Sequence, residues 1–223
     1  MGLTTRAERS SATATYRRVG PGACQGGVVS STVHGAPWLV VVTGWTGAGK
    51  STLADALARE LGATVASFDW VMSALRSHED VWSVVEGPVE RQRRIGWDLL
   101  ARVAEQQLRS GRSCILDLVA REQPRQEWAA LAGRYSASFA VVECVCGDVD
   151  VHRSRVDGRR RAIPGWYELT WEWVERGRRR YEPLSEPKVV IDAVESLEHN
   201  LAVVMHHLTT ARADPQESPA SSP

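Results

Sequence analysis

The sequence predicts an α/β fold: a five-stranded parallel sheet covered by helices on both faces, three layers in all. Three observations carry this expectation. Short apolar, β-branched runs alternate with segments of helical apolar spacing, the pattern of strands buried in a parallel sheet. The first such run leads into a glycine-rich turn and then a helix. The chain has 223 residues, 43 % hydrophobic and 24 % charged, which suits one soluble domain able to bury its own core.

Taken in order, residues 38–43 (Trp-Leu-Val-Val-Val-Thr) form the first strand and 51–61 the first helix. Residues 63–68 form a second strand closed by Asp69, and a helical region runs from Val71 into the long segment 89–109. Residues 113–119 form a third strand and 126–134 a helix; 138–145 form a fourth strand and 149–156 a helix. A polar Arg/Gly stretch follows, then helix 167–181, strand 188–191 and helix 196–208. Residues 1–36, rich in Ser, Thr, Gly and Ala with no periodic apolar face, read as a flexible tail, and 212–223, rich in Pro and Ser, as a disordered one. The domain spans 37–211, with a lid at about 157–166.

Composition excludes some functions. No apolar run approaches the roughly 20 residues that cross a bilayer. Lys+Arg and Asp+Glu are 27 each, whereas a protein held to a nucleic-acid backbone by charge would be more basic. Cys24, Cys114, Cys144 and Cys146 read as reduced thiols of a cytoplasmic protein. Cys144 and Cys146 lack the second close pair that a four-ligand metal site requires. Arginine supplies almost all the positive charge; the only lysines are Lys50 and Lys188.

The strongest chemical signal is Gly44-Trp45-Thr46-Gly47-Ala48-Gly49-Lys50-Ser51, which fits G-x-x-x-x-G-K-[ST] between a strand and a helix. Glycines let successive N–H groups face one cavity, and the positive end of the following helix adds to the attraction for phosphate. Gly44, Thr46, Gly47, Ala48, Gly49, Lys50, Ser51 and Thr52 therefore form the predicted site for ATP or GTP. Lys50 places a cation between the β- and γ-phosphates, and the Ser51 hydroxyl ligates Mg²⁺. Asp69 stands where open parallel sheets bind ligands, beyond a strand's carboxyl end. It reads either as the base that takes a proton from an acceptor hydroxyl or as the cap of the next helix. Asp117 ends Cys114-Ile115-Leu116-Asp117 in the manner of a Walker B strand, as a second Mg²⁺ ligand; the two aspartates could exchange roles.

Arginines cluster at 153, 155 and 159–161 beside Gly158, Pro164 and Gly165. Arg159 and Arg161 are the expected catalytic lid arginines, which would neutralise charge spreading in the transition state, and Arg155 is an expected nucleotide contact. Trp70, Trp82, Trp97, Trp166, Trp171 and Trp173 form either a stacking wall for a planar acceptor or part of the core, with Trp70 and Trp82 the best wall candidates. Glu79 and Asp80 either orient the acceptor or face water.

The order of these parts resembles the P-loop small-molecule kinases, and within them the chloramphenicol phosphotransferase-like branch, related to the zeta-toxin and polynucleotide-kinase groups of AAA-type ATPases. The resemblance covers residues 38–210. It implies Lys50 and Ser51 at the phosphates and Mg²⁺, Asp69 as base, Asp117 after the Walker B strand, and lid arginines among Arg155, Arg159 and Arg161. Polynucleotide-kinase-like members carry Asp-x-Thr-Asn where this chain has Asp117-Leu118-Val119-Ala120, a departure that argues against a nucleic-acid acceptor. The expected activity is transfer of a γ-phosphate to a small-molecule hydroxyl, with a natural product or antibiotic as the narrower class. The rivals are a polynucleotide or RNA-end kinase and a nucleotide-gated regulatory ATPase. No membrane partner is expected, and a homodimer is left open.

Overall fold

β1 (Trp38–Gly44) is buried at every residue, as a central strand with neighbours on both edges and helices on both faces must be. The computed structural model describes residues 35–213. After β1 come α1 (Lys50–Leu61), β2 (Thr64–Ser67), α2 (Phe68–Arg76), α3 (Glu79–Val85), α4 (Val89–Arg109), β3 (Cys114–Asp117) and α5 (Glu122–Arg134). Then follow β4 (Ser138–Val145), α6 (Val149–Asp157), α7 (Trp171–Arg178), β5 (Val189–Asp192) and α8 (Leu197–Ala213). The strands form one sheet in the order β2-β3-β1-β4-β5, every pairing parallel. The predicted three-layer α/β/α architecture is the observed one.

Alternation along β1 sends its residues to two cores. Leu39 and Val41 meet Trp97, Leu100, Ala104 and Leu108 of α4 and Trp128 and Leu131 of α5. Val40 and Val42 meet Leu53 and Leu57 of α1 and Val204 and Leu208 of α8. Each such side chain taken fully out of water contributes about 1.5–3 kcal/mol. Register levels the strands at their carboxyl ends: Val42 and Ser67 each pair with Asp117, and Gly44 with Cys144. That row of strand ends is where the glycine turn, Asp117 and the start of α2 meet.

Several boundaries differ from the sequence expectation. β2 stops at Ser67, and Asp69 is the second residue of α2 rather than the end of a strand. The cap position is Ser67, so Asp69 does not cap α2 either. The expected continuous helical region after Val71 is three helices, α2, α3 and α4, broken around residues 77–78 and 86–88. α7 is shorter than expected, and residues 158–170 form neither helix nor strand, an irregular stretch longer than the 157–166 segment read as a lid. α8 runs through Ala213, two residues into the expected C-terminal tail. Cys24 and nearly all of the N-terminal tail lie outside the described residues. Cys114, Cys144 and Cys146 are free and buried, and burial pushes the Cys114 and Cys144 thiols up to about 12. No helix among the described residues is long and apolar enough to cross a membrane.

Candidate active site

The turn between β1 and α1 depends on two glycines for different reasons. Gly44 has φ of 132°, and a Cβ there would lie 2.0 Å from the Cys144 carbonyl oxygen of the neighbouring strand. Gly47 has φ of 88°, and a Cβ there would lie 2.7 Å from Nε2 of His152. Gly49 caps α1, no side chain bonds the first-turn amides, and no acid stands in that turn. These free N–H groups and the positive helix end make an anion site. Ala48 is buried beneath the turn, and its N–H donates to the Trp45 carbonyl at 3.2 Å.

Lys50 reaches back over the turn and donates through Nζ to the Trp45 carbonyl at 3.0 Å. Burial pulls its pKa down, opposed chiefly by the charge of Asp117. The Ser51 hydroxyl donates to Oδ2 of Asp117 at 2.8 Å, joining the start of α1 to the end of β3. This pair of hard oxygens suits Mg²⁺, which takes few protein ligands and completes its shell with phosphate and water. Among the described residues no group of three or more His, Cys, Asp and Glu is placed to hold a metal by protein alone.

Beside the turn lies a cavity of about 380 Å³, lined by Gly47, Gly49, Lys50, Ser51, Thr52, Arg155 and Arg159 and, from the β5 side, by Ile191, Ala193, Glu195, Leu197 and Asn200. Arg155 donates to the Ala193 carbonyl at 2.6 Å, joining α6 to the β5–α8 loop. Arg159 lines the same cavity, and burial followed by the repulsion of Arg161 draws its pKa down. Its guanidinium has no hydrogen-bond partner among the described residues.

Asp69 is within reach of the charges of Arg161, Lys50, Asp117 and Arg159. Burial pushes its carboxyl up, and Arg161 and then Lys50 pull against that. The guanidinium of Arg161, the second expected lid arginine, is bound to Asp69 and Glu168. The distinction between two lid arginines that look alike in sequence is therefore sharp. Arg159 faces the nucleotide cavity and Arg161 faces Asp69.

The tryptophans divide too. Trp97 and Trp171 are buried, and Trp70 is 54 % exposed. The Arg76 guanidinium lies 5.6 Å from the Trp82 ring and 5.0 Å from the Tyr167 ring, and Tyr167 stacks on Trp166. Glu79 and Asp80 are exposed in the first turn of α3. Arg153 is exposed and paired with Asp157.

Three groups at the site escaped the sequence reading. Trp45 lies stacked on Trp173 at 5.6 Å, donates through Nε1 to the Val174 carbonyl at 2.8 Å, and fills the space a Cβ of Gly177 would need. His152 donates through Nε2 to the Thr46 carbonyl at 2.7 Å and meets Trp171 edge-on, and burial lowers its pKa. Glu168 holds Arg161. A tryptophan inside a glycine turn was the one visible signal; a lone His on α6 and a Glu seven residues beyond an Arg are not.

A glycine turn on a five-stranded parallel sheet, with a Ser–Asp pair joining the start of α1 to the end of β3, defines the three-layer P-loop fold of the kinase type. The chain belongs to the AAA domain family AAA_33, whose match covers residues 39–184. Solved structures of the same fold include a sugar kinase from Janibacter sp. HTCC2649 (21 % identity, 79 % of this chain and 97 % of that one, TM-score 0.56). A gluconokinase from Sinorhizobium meliloti 1021 is similar over 78 % of this chain and 93 % of its own (18 % identity, TM-score 0.53). The Mycobacterium tuberculosis APS kinase CysC, in complex with AMPPNP and APS, is similar over 78 % and 98 % (17 % identity, TM-score 0.54). No curated protein matches the chain.

Proposed function

We propose that the protein transfers the γ-phosphate of ATP or GTP to a hydroxyl of a small organic molecule in the cytoplasm, with a natural product or antibiotic as the narrower acceptor class. The observation that carries this reading is the placement of Asp69: it stands in the first turn of α2, directly after β2, whose last residue pairs with Asp117, and is bound by Arg161 of the loop whose Arg159 lines the cavity with Lys50. A partly buried carboxylate there suits an acceptor that must lose a proton as it attacks. The kinases of the same fold support the reaction class, and a net charge of +0 supports a small acceptor over a nucleic acid.

The turn amides and Lys50 hold the phosphate chain, and Ser51 and Asp117 would hold Mg²⁺. When bound, that ion would supply positive charge to neutralise the phosphate chain. Asp69 orients the acceptor hydroxyl and takes its proton as the acceptor oxygen bonds to the γ-phosphorus. The bond from phosphorus to the β–γ bridging oxygen breaks, and the nucleoside diphosphate leaves. Arg159 faces the charge that spreads over the transferred group. Positioning and charge stabilisation suffice for a loose transition state.

The test is Asp69→Asn, measured for nucleotide binding by calorimetry and for transfer of labelled γ-phosphate across a panel of hydroxyl compounds. Binding unchanged and transfer down by about 10²–10⁴ is the expected result. Undiminished transfer removes Asp69 as base, and labelling of oligonucleotide ends alone would replace the small-molecule reading.

A further inference from the structure

Arg161 has a role the phosphate chemistry does not use. Its side chain is only 8 % exposed, and three of its donor groups are satisfied inside its own loop. The backbone N–H and Nε share the Glu168 carboxylate, at 2.8 and 3.2 Å, and one terminal nitrogen, Nη2, donates to the Tyr167 carbonyl at 2.6 Å. A planar guanidinium held at Nε and Nη2 has no freedom left to re-aim the remaining nitrogen. That nitrogen, Nη1, crosses to α2 and donates to Oδ2 of Asp69. Oδ1 of Asp69 has no hydrogen-bond partner among the described residues.

The same loop has a second seat on α2. Tyr167 lies over Arg76, which is seven residues, or two helical turns, beyond Asp69 and so on the same face. The lid thus lies along α2, fixed at Asp69 and at Arg76. The other charges that face Asp69 are Lys50 from α1, Asp117 from β3 and Arg159 from the lid, and of these cations Arg161 alone is hydrogen-bonded to it.

We propose that Arg161 is a positioning residue: preset by Glu168, it grips one oxygen of the Asp69 carboxylate when the lid lies on α2 and turns the other towards the acceptor hydroxyl. This rests on the reading of Asp69 as base. It makes orientation of the base a property of the closed lid, because a carboxylate released by Arg161 rotates freely about its last torsion. Lid closure and readiness for proton transfer are then one event.

The test uses the full chain without an acceptor, in two measurements. Amide hydrogen exchange across residues 159–168 is compared in wild type, Asp69→Asn, Arg161→Ala and the double variant. Each single change speeds exchange of the lid, and the double variant is no faster than the faster single, because both remove one contact. The Asp69 carboxyl is then titrated by ¹³C NMR, assigned as the resonance missing in Asp69→Asn. In Arg161→Ala it titrates about one pH unit or more above wild type, because the attracting cation has gone. Arg161→Lys keeps the carboxyl near its wild-type titration yet loses lid protection, since the charge remains and the fork does not; Glu168→Gln shifts the carboxyl upward by less. An unmoved titration in Arg161→Ala, or additive exchange effects, overturns the clamp while leaving the phosphate-transfer result with Asp69→Asn to stand on its own. Undiminished transfer by Asp69→Asn overturns the base reading, and the clamp with it, even if the titration moves.

Discussion

A carboxylate that serves as base is useful only when ionised, and burial raises the pH at which Asp69 ionises. Arg161 and Lys50 limit that rise without being the larger effect. The sign follows: phosphate transfer is full above the Asp69 titration and is lost as pH falls through it, at a higher pH than an ordinary exposed carboxylate would give. A pH profile of transfer measured at saturating Mg-nucleotide checks this. At this scale the phosphate turn was legible because its signal is local: eight consecutive residues carry both the glycines and the two reactive side chains. The difference between Arg159 and Arg161 was not legible. It depends on Glu168 and on the seating of α2, neither of which leaves a mark in the residues around the arginines.

The seating of α2 is a matter of elements. Phe68, at the first position of α2, lies where a Cβ on Gly96 of α4 would be, 2.2 Å from the Phe68 ring. Gly96 is buried in mid-helix, where alanine would otherwise be the better helix former. Gly96→Ala therefore gains a little propensity but pushes Phe68, and with it the first turn of α2, away from the sheet. We expect a net loss of about 1–3 kcal/mol of stability in denaturant unfolding, with phosphate transfer reduced in the folded fraction because Asp69 is the next residue. The run Val65-Ala66-Ser67-Phe68 reads as the end of a short strand closed by Asp69. The chain turns to helix one residue early, with the Phe68 ring seated against Gly96, a long-range contact that no local pattern contains. The helix and strand types were otherwise well marked, since the apolar period changes clearly between them; the breaks at 77–78 and 86–88 were not.

For the molecule as a whole, the nucleotide cavity is assembled from distant parts of the chain: β1 and α1, the end of β3, α6 with its lid, and the loop after β5. Binding that cross-links these parts stabilises the folded state by mass action. Mg-nucleotide at 100 times its Kd adds about 2.7 kcal/mol, which for a domain of this size raises Tm by roughly 5–11 °C. Differential scanning calorimetry with and without Mg-ATP or Mg-GTP checks this, and the larger rise at equal concentration identifies the preferred base. The alternating pattern announced the five parallel strands. The buried pair of Lys188 and Glu143, 2.7 Å apart and joined by the Tyr181 hydroxyl at 2.8 Å, was not announced, because its partners come from β4 and the segment before β5.

One contact has a use beyond architecture. The ring of Trp45 belongs to the phosphate-binding turn, lies within 8° of parallel to that of Trp173, and is held by a carbonyl of α7. An indole so placed is a native optical gauge: its ultraviolet emission is set by the neighbour it touches and by whatever charge settles on the amides beside it. Of the chain's nine tryptophans this one sits in the glycine turn itself, so its replacement separates its share of any change in emission when nucleotide is added.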